Sequence, residues 1–340
     1  MSEKINLCIV GLGRAGRFHL QAIKKLDSCS LKYVVDPGIA ENDELVSSNN
    51  FTLLSEITPA LSDTQLNGVI VSAPTQFHYE IICRALQAGK HVFTEKPLGK
   101  TATEIKTCFD LAKEKGLSLY LGFQRRYDTN FIALKKSLET IGQVRTIKMS
   151  SRDNPKPSLD YLKISGNIFH DMLIHDFDML QFLLGDKVPV AVSAFGHAYD
   201  PEIKKIPDFD TVLVTLKFDD GLICAIDTSR IAEYGYDQRI ELFAEKGMAI
   251  AENQKNNTVE VHTKKGSFLT PINYSFPTRY KDAYSAEIAD FVAAIPKENS
   301  VNVSKRQCLI GHLIAQAAYN SAITNSVIDF KKEYAGIIDD

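Results

Sequence analysis

The chain has 340 residues, of which 44% are hydrophobic and 24% are charged, and its formal net charge at pH 7 is −3. This length can form two domains with separate cores, and the small charge gives no electrostatic reason to expect nucleic acid or an anionic membrane as a partner. No apolar run approaches the ~18 residues that span a bilayer, and the first residues lead directly into a strand-like run, so we expect no signal peptide. The six cysteines are scattered without a C-x-x-C pair, which favours reduced thiols in the cytoplasm and no metal site.

A glycine-rich turn directly follows the first predicted strand. INLCIV at residues 5–10 has strand character, GLGRAG follows it, and the next residues have apolar side chains at helical spacing. In this strand–turn–helix setting, Gly11 would allow the tight turn, Gly13 the approach of a pyrophosphate, and Gly16 close packing of the helix on the strand. The N–H groups at the helix N-terminus would then face the phosphates. Without that setting, the glycine pattern is a weak signal.

Asp36 ends a second predicted strand at residues 31–35. An acidic side chain at this place binds the ribose hydroxyls of NAD and repels the 2′-phosphate of NADP. Pro37 and Gly38 offer no cation to that phosphate, and Lys32 lies upstream within the strand. We therefore predict NAD as the cofactor; the competing interpretation of Asp36 is an ordinary turn residue.

The rest of the first third alternates between strand and helix patterns. Strands are predicted at residues 69–73, 91–95 and 117–122 and helices at 78–88 and 101–115, whereas residues 37–66 can be placed only loosely. Such alternation indicates an N-terminal Rossmann domain with a doubly wound parallel sheet, an α/β fold. Ligands of these sheets bind at the carboxyl ends of the strands, so the loops at 72–78 and 94–97 are candidate binding segments. Lys96 lies in the second loop, and its competing interpretation is a solvated surface lysine.

From about residue 122 the pattern changes and predicts a second, α+β domain. A helix at 129–140, a strand at 144–151 and a polar loop at 152–161 precede the helical segment 164–185. Strand-like runs follow at 190–198, 210–218, 223–231, 238–244, 248–252 and 258–263, and two helices at about 280–295 and 304–325. Tight turns between consecutive runs indicate a large, mostly antiparallel sheet. We predict an NAD-binding Rossmann domain at 1–123 and a substrate-binding and oligomerisation domain at 124–340.

Residues 164–185 are predicted to form one amphipathic helix that carries the chemistry of the second domain. Asp171, His175 and Asp178 recur at helical spacing beside an apolar stripe. Residues four apart lie one above the other, so the Asp171 carboxylate can orient the His175 imidazole and stabilise its protonated form, as a general base requires. The alternative is a solvated polar face, which is common for an isolated Asp-x-x-x-His pair. Ile174 and Phe177 border the stripe with apolar surface and favour a pocket.

Five segments together resemble the glucose–fructose oxidoreductase / inositol dehydrogenase / MocA family, from about residue 5 to about residue 325: GLGRAG, SAPTQFH, GKHVFTEKPLG, GFQRRYD and SGNIFHDMLIHDFDML. The segments SRDNPKPSLDYLKISG and YGYDQRIELFAEKG are most similar to its myo-inositol 2-dehydrogenase branch. The resemblance implies that Lys96, Asp171 and His175 act together in catalysis, and that the bond from Lys96 to Pro97 is cis. Asn167 and His170 depart from the family's pattern, which leaves the substrate open.

The positions of these motifs and the resemblance give two sets of expected ligand contacts. NAD is expected at Gly11, Gly13, Arg14, Ala15, Gly16, Asp36, Ala73, Thr75, His78, Glu95, Lys96 and Gln124. The substrate is expected at Lys96, Asp153, Asn154, Asp171, His175, Asp178, Tyr236 and Tyr280.

We therefore expect an NAD-dependent oxidoreductase that acts on a secondary hydroxyl of a cyclic polyol or sugar, most similar to myo-inositol 2-dehydrogenase. With the substrate between the domains, His175 would remove the hydroxyl proton and Lys96 would stabilise the alkoxide. One alternative is a dehydrogenase of the same fold for another sugar, an amino sugar or a dihydrodiol. The other is a non-catalytic NAD-binding regulator, which would need none of the three catalytic residues together. Alternating apolar residues in runs such as 210–218 also predict a homodimer or homotetramer built through the sheet.

Overall fold

A computed structural model describes residues 4–40, 42–297 and 299–339 of the chain. No helix within these ranges is both long enough and apolar enough to cross a membrane. All six cysteines are free thiols, and five of them are buried.

The chain divides into two compact units, Met1–Tyr127 with Asp282–Leu309 and Asp128–Lys281 with Ile310–Asp340. The first break lies four residues beyond the predicted boundary at 123/124. The second difference is larger, because the prediction assigned residues 282–309 to the second domain, whereas the structure assigns them to the first unit.

The first unit is built on a six-stranded sheet in which every neighbouring pair is parallel. The strands are β1 (Ile5–Val10), β2 (Cys29–Val35), β3 (Thr52–Leu54), β4 (Gly68–Val71), β5 (His91–Glu95) and β6 (Leu119–Gly122). Their order is β3-β2-β1-β4-β5-β6, which is the order of a doubly wound dinucleotide-binding sheet. Because such strands are buried on both faces, they form continuous apolar runs in the sequence. The predicted Rossmann architecture is confirmed.

Helices connect these strands, and their ends follow local capping rules. They are α1 (Arg14–Ile23), α2 (Glu44–Ser47), α3 (Thr58–Ser62), α4 (His78–Gln87) and α5 (Ala102–Lys115). α5 begins at Thr101, whose hydroxyl accepts a hydrogen bond from the Glu104 N–H, and ends at Gly116 with a left-handed φ of +69°. The short elements α2, β3 and α3 occupy the segment that the sequence pattern could place only loosely.

A later helix, α11 (Lys281–Ala294), completes the core of the first unit. Ile288 and Phe291 are fully buried in the same apolar cluster as Leu7 and Phe93. The Phe93 and Phe291 ring centroids are 5.9 Å apart. This packing explains why residues 282–309 belong to the first unit although they follow the second sheet in the chain.

The second unit contains a seven-stranded sheet in the order β12-β11-β7-β10-β9-β8-β15. Its strands are β7 (Val144–Arg152), β8 (Ala191–His197), β9 (Thr211–Lys217), β10 (Ile223–Ser229), β11 (Asp237–Ala244), β12 (Gly247–Ala251) and β15 (Ile328–Asp329). The β7–β10 pair is parallel and the other neighbouring pairs are antiparallel, which confirms the predicted mostly antiparallel sheet. The last predicted run contributes instead to a separate hairpin of β13 (Glu260–Thr263) and β14 (Gly266–Leu269).

One face of this sheet is buried and the other is exposed. Along β9, Val212, Val214 and Leu216 are buried, whereas Leu213 between them is half exposed, because successive side chains of a strand point to opposite faces. The strand pairings bring the exposed apolar side chains onto one surface, which we call the outer face: Phe195, Leu213, Ile223, Phe243, Met248 and Ile250.

The helices described for the second part of the chain are more numerous than predicted. They are α6 (Thr129–Ile141), α7 (Leu159–Ile164), α8 (Ile168–Asp171), α9 (Ile174–Leu184), α10 (Phe276–Arg279), α12 (Lys305–Thr324) and α13 (Phe330–Asp339). The prediction ended the chain with two helices, but β15 and α13 follow α12. The α13 residues Phe330 and Tyr334 are buried, and their spacing of four is a helical signal that the prediction overlooked.

The prediction of one continuous helix over 164–185 is wrong. Gly166 adopts a φ of +90° after α7, and the Asn167 side chain caps α8 by accepting from the Phe169 and His170 N–H groups. A second break follows, because the Leu173 N–H bonds to the carbonyl of Ile168, five residues back. Asp171 and His175 therefore belong to two successive helices.

Candidate active site

The glycine turn after β1 has the geometry that a dinucleotide requires. A Cβ at Gly11, where φ is +91°, would lie 2.6 Å from the Ala73 nitrogen, and a Cβ at Gly16 would lie 2.1 Å from the Gly11 carbonyl oxygen. Neither position can hold a side chain without moving the backbone. At Gly13 nothing lies within 4 Å of such a Cβ, so this side of the turn is open to a ligand.

The start of α1 and Asp36 complete the cofactor half of the site. Gly13 is the N-cap of α1, Arg14 is its exposed first residue and Ala15 is half-buried. The first N–H groups of a helix have no carbonyl partner inside it and favour an anion. The Asp36 carboxylate accepts hydrogen bonds from Leu12 N–H at 2.7 Å and Gly38 N–H at 2.9 Å, which fix its orientation at the end of β2. An open turn, a helix N-terminus and an oriented carboxylate together fit NAD.

His78 connects two loops at the carboxyl edge of the parallel sheet. Its Nε2 lies 2.7 Å from the Ala73 carbonyl oxygen and its Nδ1 lies 2.8 Å from that of Pro97. Burial lowers the pKa of His78, although both carbonyls favour the protonated ring. Thr75, in the helical turn before α4, is half-buried. Both ring nitrogens of His78 therefore face backbone carbonyls of the protein. The contact between His78 and NAD that the sequence suggests stays a prediction.

Lys96 follows β5 directly and is half-buried. The Lys96–Pro97 bond is cis, as predicted. Gln124, in the single helical turn after β6, is buried. Both residues therefore lie where the parallel strands end, at the edge at which ligands of such sheets bind.

Glu95 belongs to a buried cluster that the sequence analysis missed. Its Oε1 lies 2.8 Å from Nε2 of the fully buried His19. Glu287 of α11 adds a second carboxylate, and one potential metal-binding atom from each of the three residues lies within 4.8 Å of the other two. Burial would raise the pKa of Glu95, but the His19 hydrogen bond and charge leave it lowered. Burial and the Glu95 charge raise the pKa of Glu287 well above its usual value, and neither Glu287 oxygen has a hydrogen-bond partner among the residues that the structure describes. A His and two carboxylates are a possible metal donor set, and the absence of a metal stays a prediction.

In the second unit, both oxygens of Asp171 accept hydrogen bonds. The Tyr161 hydroxyl donates to Oδ1 at 2.7 Å, and Nη1 of Arg230 donates to Oδ2 at 3.0 Å. Nη2 of Arg230 donates to Asp208 at 2.9 Å, and Asp208 also accepts the Ile168 N–H at the start of α8. Arg230 is fully buried, so one guanidinium joins two carboxylates from separate segments.

His175 lies in the first turn of α9 and is half-buried. Its N–H bonds to the carbonyl of Met172 rather than to that of Asp171, so the regular i,i+4 stacking of the sequence argument is replaced by a kinked turn. Asp178 is buried on the same helix. So is Asp176, which accepts from the Ser151 hydroxyl at 2.8 Å. The predicted polar stripe is therefore an interior surface and not a solvated one.

The remaining predicted substrate residues lie near the ends of β7 and β11 and beside α10. Asp153 and Asn154 are half-buried in the loop after β7. Nδ2 of Asn154 donates to the carbonyl of Tyr274 at 2.9 Å. Tyr236 is 4% exposed and Tyr280 fully buried, and their rings pack edge to face at 5.9 Å. The two tyrosines thus belong largely to the interior of the second unit.

The residues that sequence reasoning missed gave weak signals. Arg230 occurs inside a predicted strand run, where a charged residue suggests the end of the strand, and nothing in the sequence connects it to Asp171 or Asp208. Tyr161 ends the predicted polar loop at 152–161 and His19 occurs in a helical pattern, neither with a catalytic motif of its own. Their roles depend on contacts between residues that are apart in the sequence. Arg230 lies 59 residues and Tyr161 lies 10 residues from Asp171, and His19 lies 76 residues from Glu95.

Two family models match the chain. The model for the oxidoreductase family with an NAD-binding Rossmann fold matches residues 5–123, and the GFO/IDH/MocA C-terminal domain matches residues 132–250. The first range contains the glycine turn, Asp36 and Lys96, and the second contains Asp171 and His175.

Relatives named as inositol dehydrogenases align with nearly the whole chain. Inositol 2-dehydrogenase of Rhizobium meliloti is 36% identical over 316 residues, which cover 92% of this chain and 95% of that protein. Myo-inositol 2-dehydrogenase of Thermotoga maritima is 34% identical over 318 residues, with the same two coverages. The crystal structure of scyllo-inositol dehydrogenase from Lactobacillus casei with bound NAD(H) and scyllo-inositol superposes with a TM-score of 0.88 at 27% identity, covering 96% of this chain and 99% of that one.

Proposed function

Because this chain belongs to the GFO/IDH/MocA family of NAD-binding oxidoreductases, we propose that it is an inositol 2-dehydrogenase that oxidises a secondary hydroxyl of myo-inositol. The alignment with two inositol 2-dehydrogenases over 92% of the chain carries this proposal. The chain is an NAD-dependent oxidoreductase, and the identity of the cyclic polyol is the proposed part.

The first unit would hold NAD through the open glycine turn, the N-terminus of α1 and the Asp36 carboxylate. Bound NAD supplies the acceptor for the hydride that leaves the substrate carbon. The loops that contain Ala73, Thr75, Glu95 and Gln124 would contact the nicotinamide end, and His78 would keep the first of these loops in place.

We assign the proton chemistry to three residues. A ring nitrogen of His175 accepts the proton of the substrate hydroxyl, and the Asp171 carboxylate orients that ring and stabilises its protonated form. The Lys96 ammonium stabilises the negative charge that develops on the substrate oxygen. Asp153, Asn154, Asp178, Tyr236 and Tyr280 are the proposed substrate-positioning residues of the second unit.

The experiment combines a substrate panel with active-site variants. Purified enzyme with NAD is offered myo-inositol, scyllo-inositol, other inositols and aldoses, and NADH absorbance is followed. We expect myo-inositol to give the highest kcat/KM. If only aldoses react, the enzyme acts on another sugar, and if nothing reacts, the chain is a non-catalytic NAD binder.

His175→Ala should lower kcat by ~10²–10⁴, the range of positioned acid–base catalysis, while the KM for NAD stays unchanged because the cofactor residues are intact. Asp171→Asn should lower kcat comparably, and the double variant should be little worse than the more damaged single variant, since the two act as a unit. Retention of more than about a tenth of kcat by His175→Ala would contradict its role as the base.

Scyllo-inositol is the second candidate substrate. Scyllo-inositol 2-dehydrogenase (NAD(+)) of Bacillus subtilis is 29% identical to this chain over 344 aligned positions, and Asn167 and His170 depart from the family's pattern beside Asp171. A higher kcat/KM for scyllo-inositol in the panel would select this substrate over myo-inositol.

We also propose a cytoplasmic homodimer or homotetramer. Six free thiols support a reducing compartment. The outer face of the second sheet supports self-association, because its apolar side chains include Phe195, Phe243 and Met248, each about half exposed. Pairs such as Lys148 and Glu241, with Nζ 3.0 Å from Oε1, give that face matched charges as well.

A further inference from the structure

Side-chain hydrogen bonds hold both carboxylate oxygens of Asp171. Its two oxygens each accept a short hydrogen bond, from the Tyr161 hydroxyl at 2.7 Å and from Nη1 of Arg230 at 3.0 Å. Two donors on different oxygens fix the carboxylate plane, so the side chain cannot rotate without breaking both bonds. The same donors withdraw negative charge from the oxygens.

Arg230 is itself fixed by its surroundings. It is fully buried, its backbone N–H bonds to the carbonyl of Asp210 at 2.8 Å, and its second Nη bonds to Asp208. Burial would lower the pKa of Arg230, but the carboxylates of Asp171 and Asp208 outweigh it and raise the pKa. The guanidinium therefore remains a cation and its position is set by the β10 end of the sheet.

Several titratable groups near this network have contacts of their own. Asp153 acts on Arg230 by its charge. Asp208 is occupied by Arg230 and the Ile168 N–H, and Asp176 by Ser151. His170, next to Asp171 in the chain, faces the Asn167 side chain at 3.0 Å and the ring of His312 at 5.5 Å.

We propose that Tyr161 and Arg230 are positioning residues that fix the Asp171 carboxylate and moderate its charge, so that His175 is unprotonated and available as a base near neutral pH. The inference rests on the proposed roles of Asp171 and His175. A general base works best when its pKa lies near the working pH. A buried carboxylate with its full charge beside an imidazole would instead keep the ring protonated and unable to accept a proton.

The sign of the effect follows from this charge balance. Removing the Tyr161 hydroxyl leaves more negative charge on Asp171, which favours the protonated form of His175 and raises its pKa. The acid limb of the kcat/KM profile should then move to higher pH. A residue with a merely structural role would lower kcat at every pH and leave the position of the limb unchanged.

The decisive variant is Tyr161→Phe, because it removes one oxygen atom from a half-buried side chain. We expect the pKa of His175, measured by NMR titration in the cofactor-free enzyme, to rise by about half a unit. The acid limb of kcat/KM should rise by the same amount, while kcat above the limb falls by less than about tenfold. His175→Ala identifies the His175 resonance. Tyr33→Phe is the matched control, since Tyr33 makes a comparable hydroxyl–carboxylate bond to Asp63 at 3.0 Å in the first unit.

Arg230 is tested by one variant that keeps the positive charge and one that removes it. Arg230→Lys keeps the cation but lacks the planar guanidinium that bonds Asp171 and Asp208 here, so it should retain less kcat than the unaltered enzyme but clearly more than Arg230→Met. Equal kcat in the two variants would contradict a role for the positive charge. If circular dichroism shows that neither Arg230 variant folds, the His175 pKa and the acid limb of kcat/KM in Tyr161→Phe decide the proposal.

The two proposals can fail separately. An unchanged His175 pKa and an unchanged acid limb in Tyr161→Phe would overturn the positioning role while leaving His175 as the base. An active His175→Ala enzyme would instead overturn the proposed base, whatever the NMR titration of Tyr161→Phe shows.

Discussion

At the scale of single residues, Asp36 determines which dinucleotide the first unit can accept. Its carboxylate is oriented by hydrogen bonds from the Leu12 and Gly38 N–H groups. The adjacent Pro37 and Gly38 carry no positive charge. Lys32, the nearby cation in β2, is bonded to Asp63 at 2.5 Å. A 2′-phosphate would therefore meet a carboxylate with no cation from these neighbours to neutralise it.

We predict that the enzyme prefers NAD to NADP and that Asp36→Ala reduces this preference. Loss of hydrogen bonds to a charged acceptor should lower kcat/KM for NAD by about 10- to 100-fold, and the value for NADP should fall less or rise. The measurement is the ratio of the two kcat/KM values at one ionic strength. Asp27→Ala, which removes an exposed acid just beyond α1, should leave the ratio unchanged. An NADP preference in the unaltered enzyme would contradict the assignment of Asp36.

At the scale of elements, α11 brings an acidic residue into the apolar core of the first unit. Glu287 is fully buried beside Glu95 and His19, and within the described part of the chain neither of its oxygens has a hydrogen-bond partner. Its raised pKa means that the folded chain binds a proton there more tightly than the unfolded chain does. Stability from this proton is fully present below the unfolded pKa of about 4.3 and is lost as the pH rises towards the folded value.

Glu287→Gln should therefore flatten the dependence of stability on pH. Glutamine has the shape of the protonated acid and carries no charge, so the variant should lose less Tm than the unaltered protein between about pH 5 and pH 8. The measurement is Tm by calorimetry at several pH values. Glu139→Gln, which removes an exposed charge from α6, is the control. The same Tm slope in Glu287→Gln and the unaltered protein would mean that Glu287 is not protonated in the folded chain.

The same scale shows what the sequence could predict. Continuous apolar runs identified β1, β4 and β5 within two residues, and glycines marked the turn after β1 and the end of α5, because these signals are local. The central stretch failed at Gly166 and Leu173, where helical periodicity continues through the sequence although the backbone breaks. Long-range contacts were beyond reach: the bond from Arg230 to Asp171 and the packing of α11 on β1 depend on how distant segments fold back.

At the scale of the whole molecule, the outer face of the second sheet exposes several large apolar side chains. Phe195 pairs with Leu213 and Phe243 with Met248 across neighbouring strands. A groove of about 440 Å³ is lined by residues that include Phe195, Tyr199 and Leu213. A sheet face with both apolar and charged side chains can pair with a second copy of itself, since an isologous contact uses one surface twice.

We predict that the enzyme sediments as a dimer or tetramer at micromolar concentration and that Leu213→Glu or Phe243→Glu shifts it towards smaller species. Each substitution introduces an unpaired charge into the proposed interface. The measurement is sedimentation velocity analytical ultracentrifugation. Ile323→Glu, at an exposed apolar position of a helix (α12) and not of the sheet, is the matched control. A monomeric unaltered protein, or outer-face variants that sediment like the control, would refute the interface.

His78 has a consequence for how the first unit meets its cofactor. Flexible loops that become ordered only on binding lose conformational entropy at that moment and weaken association. Here the Nε2 of His78 lies 2.7 Å from the Ala73 carbonyl oxygen and its Nδ1 lies 2.8 Å from the Pro97 carbonyl oxygen, so one ring contacts both the segment after β4 and the segment after β5 in the folded chain. Less loop ordering then has to accompany the binding of NAD, and less of the binding free energy is lost to it.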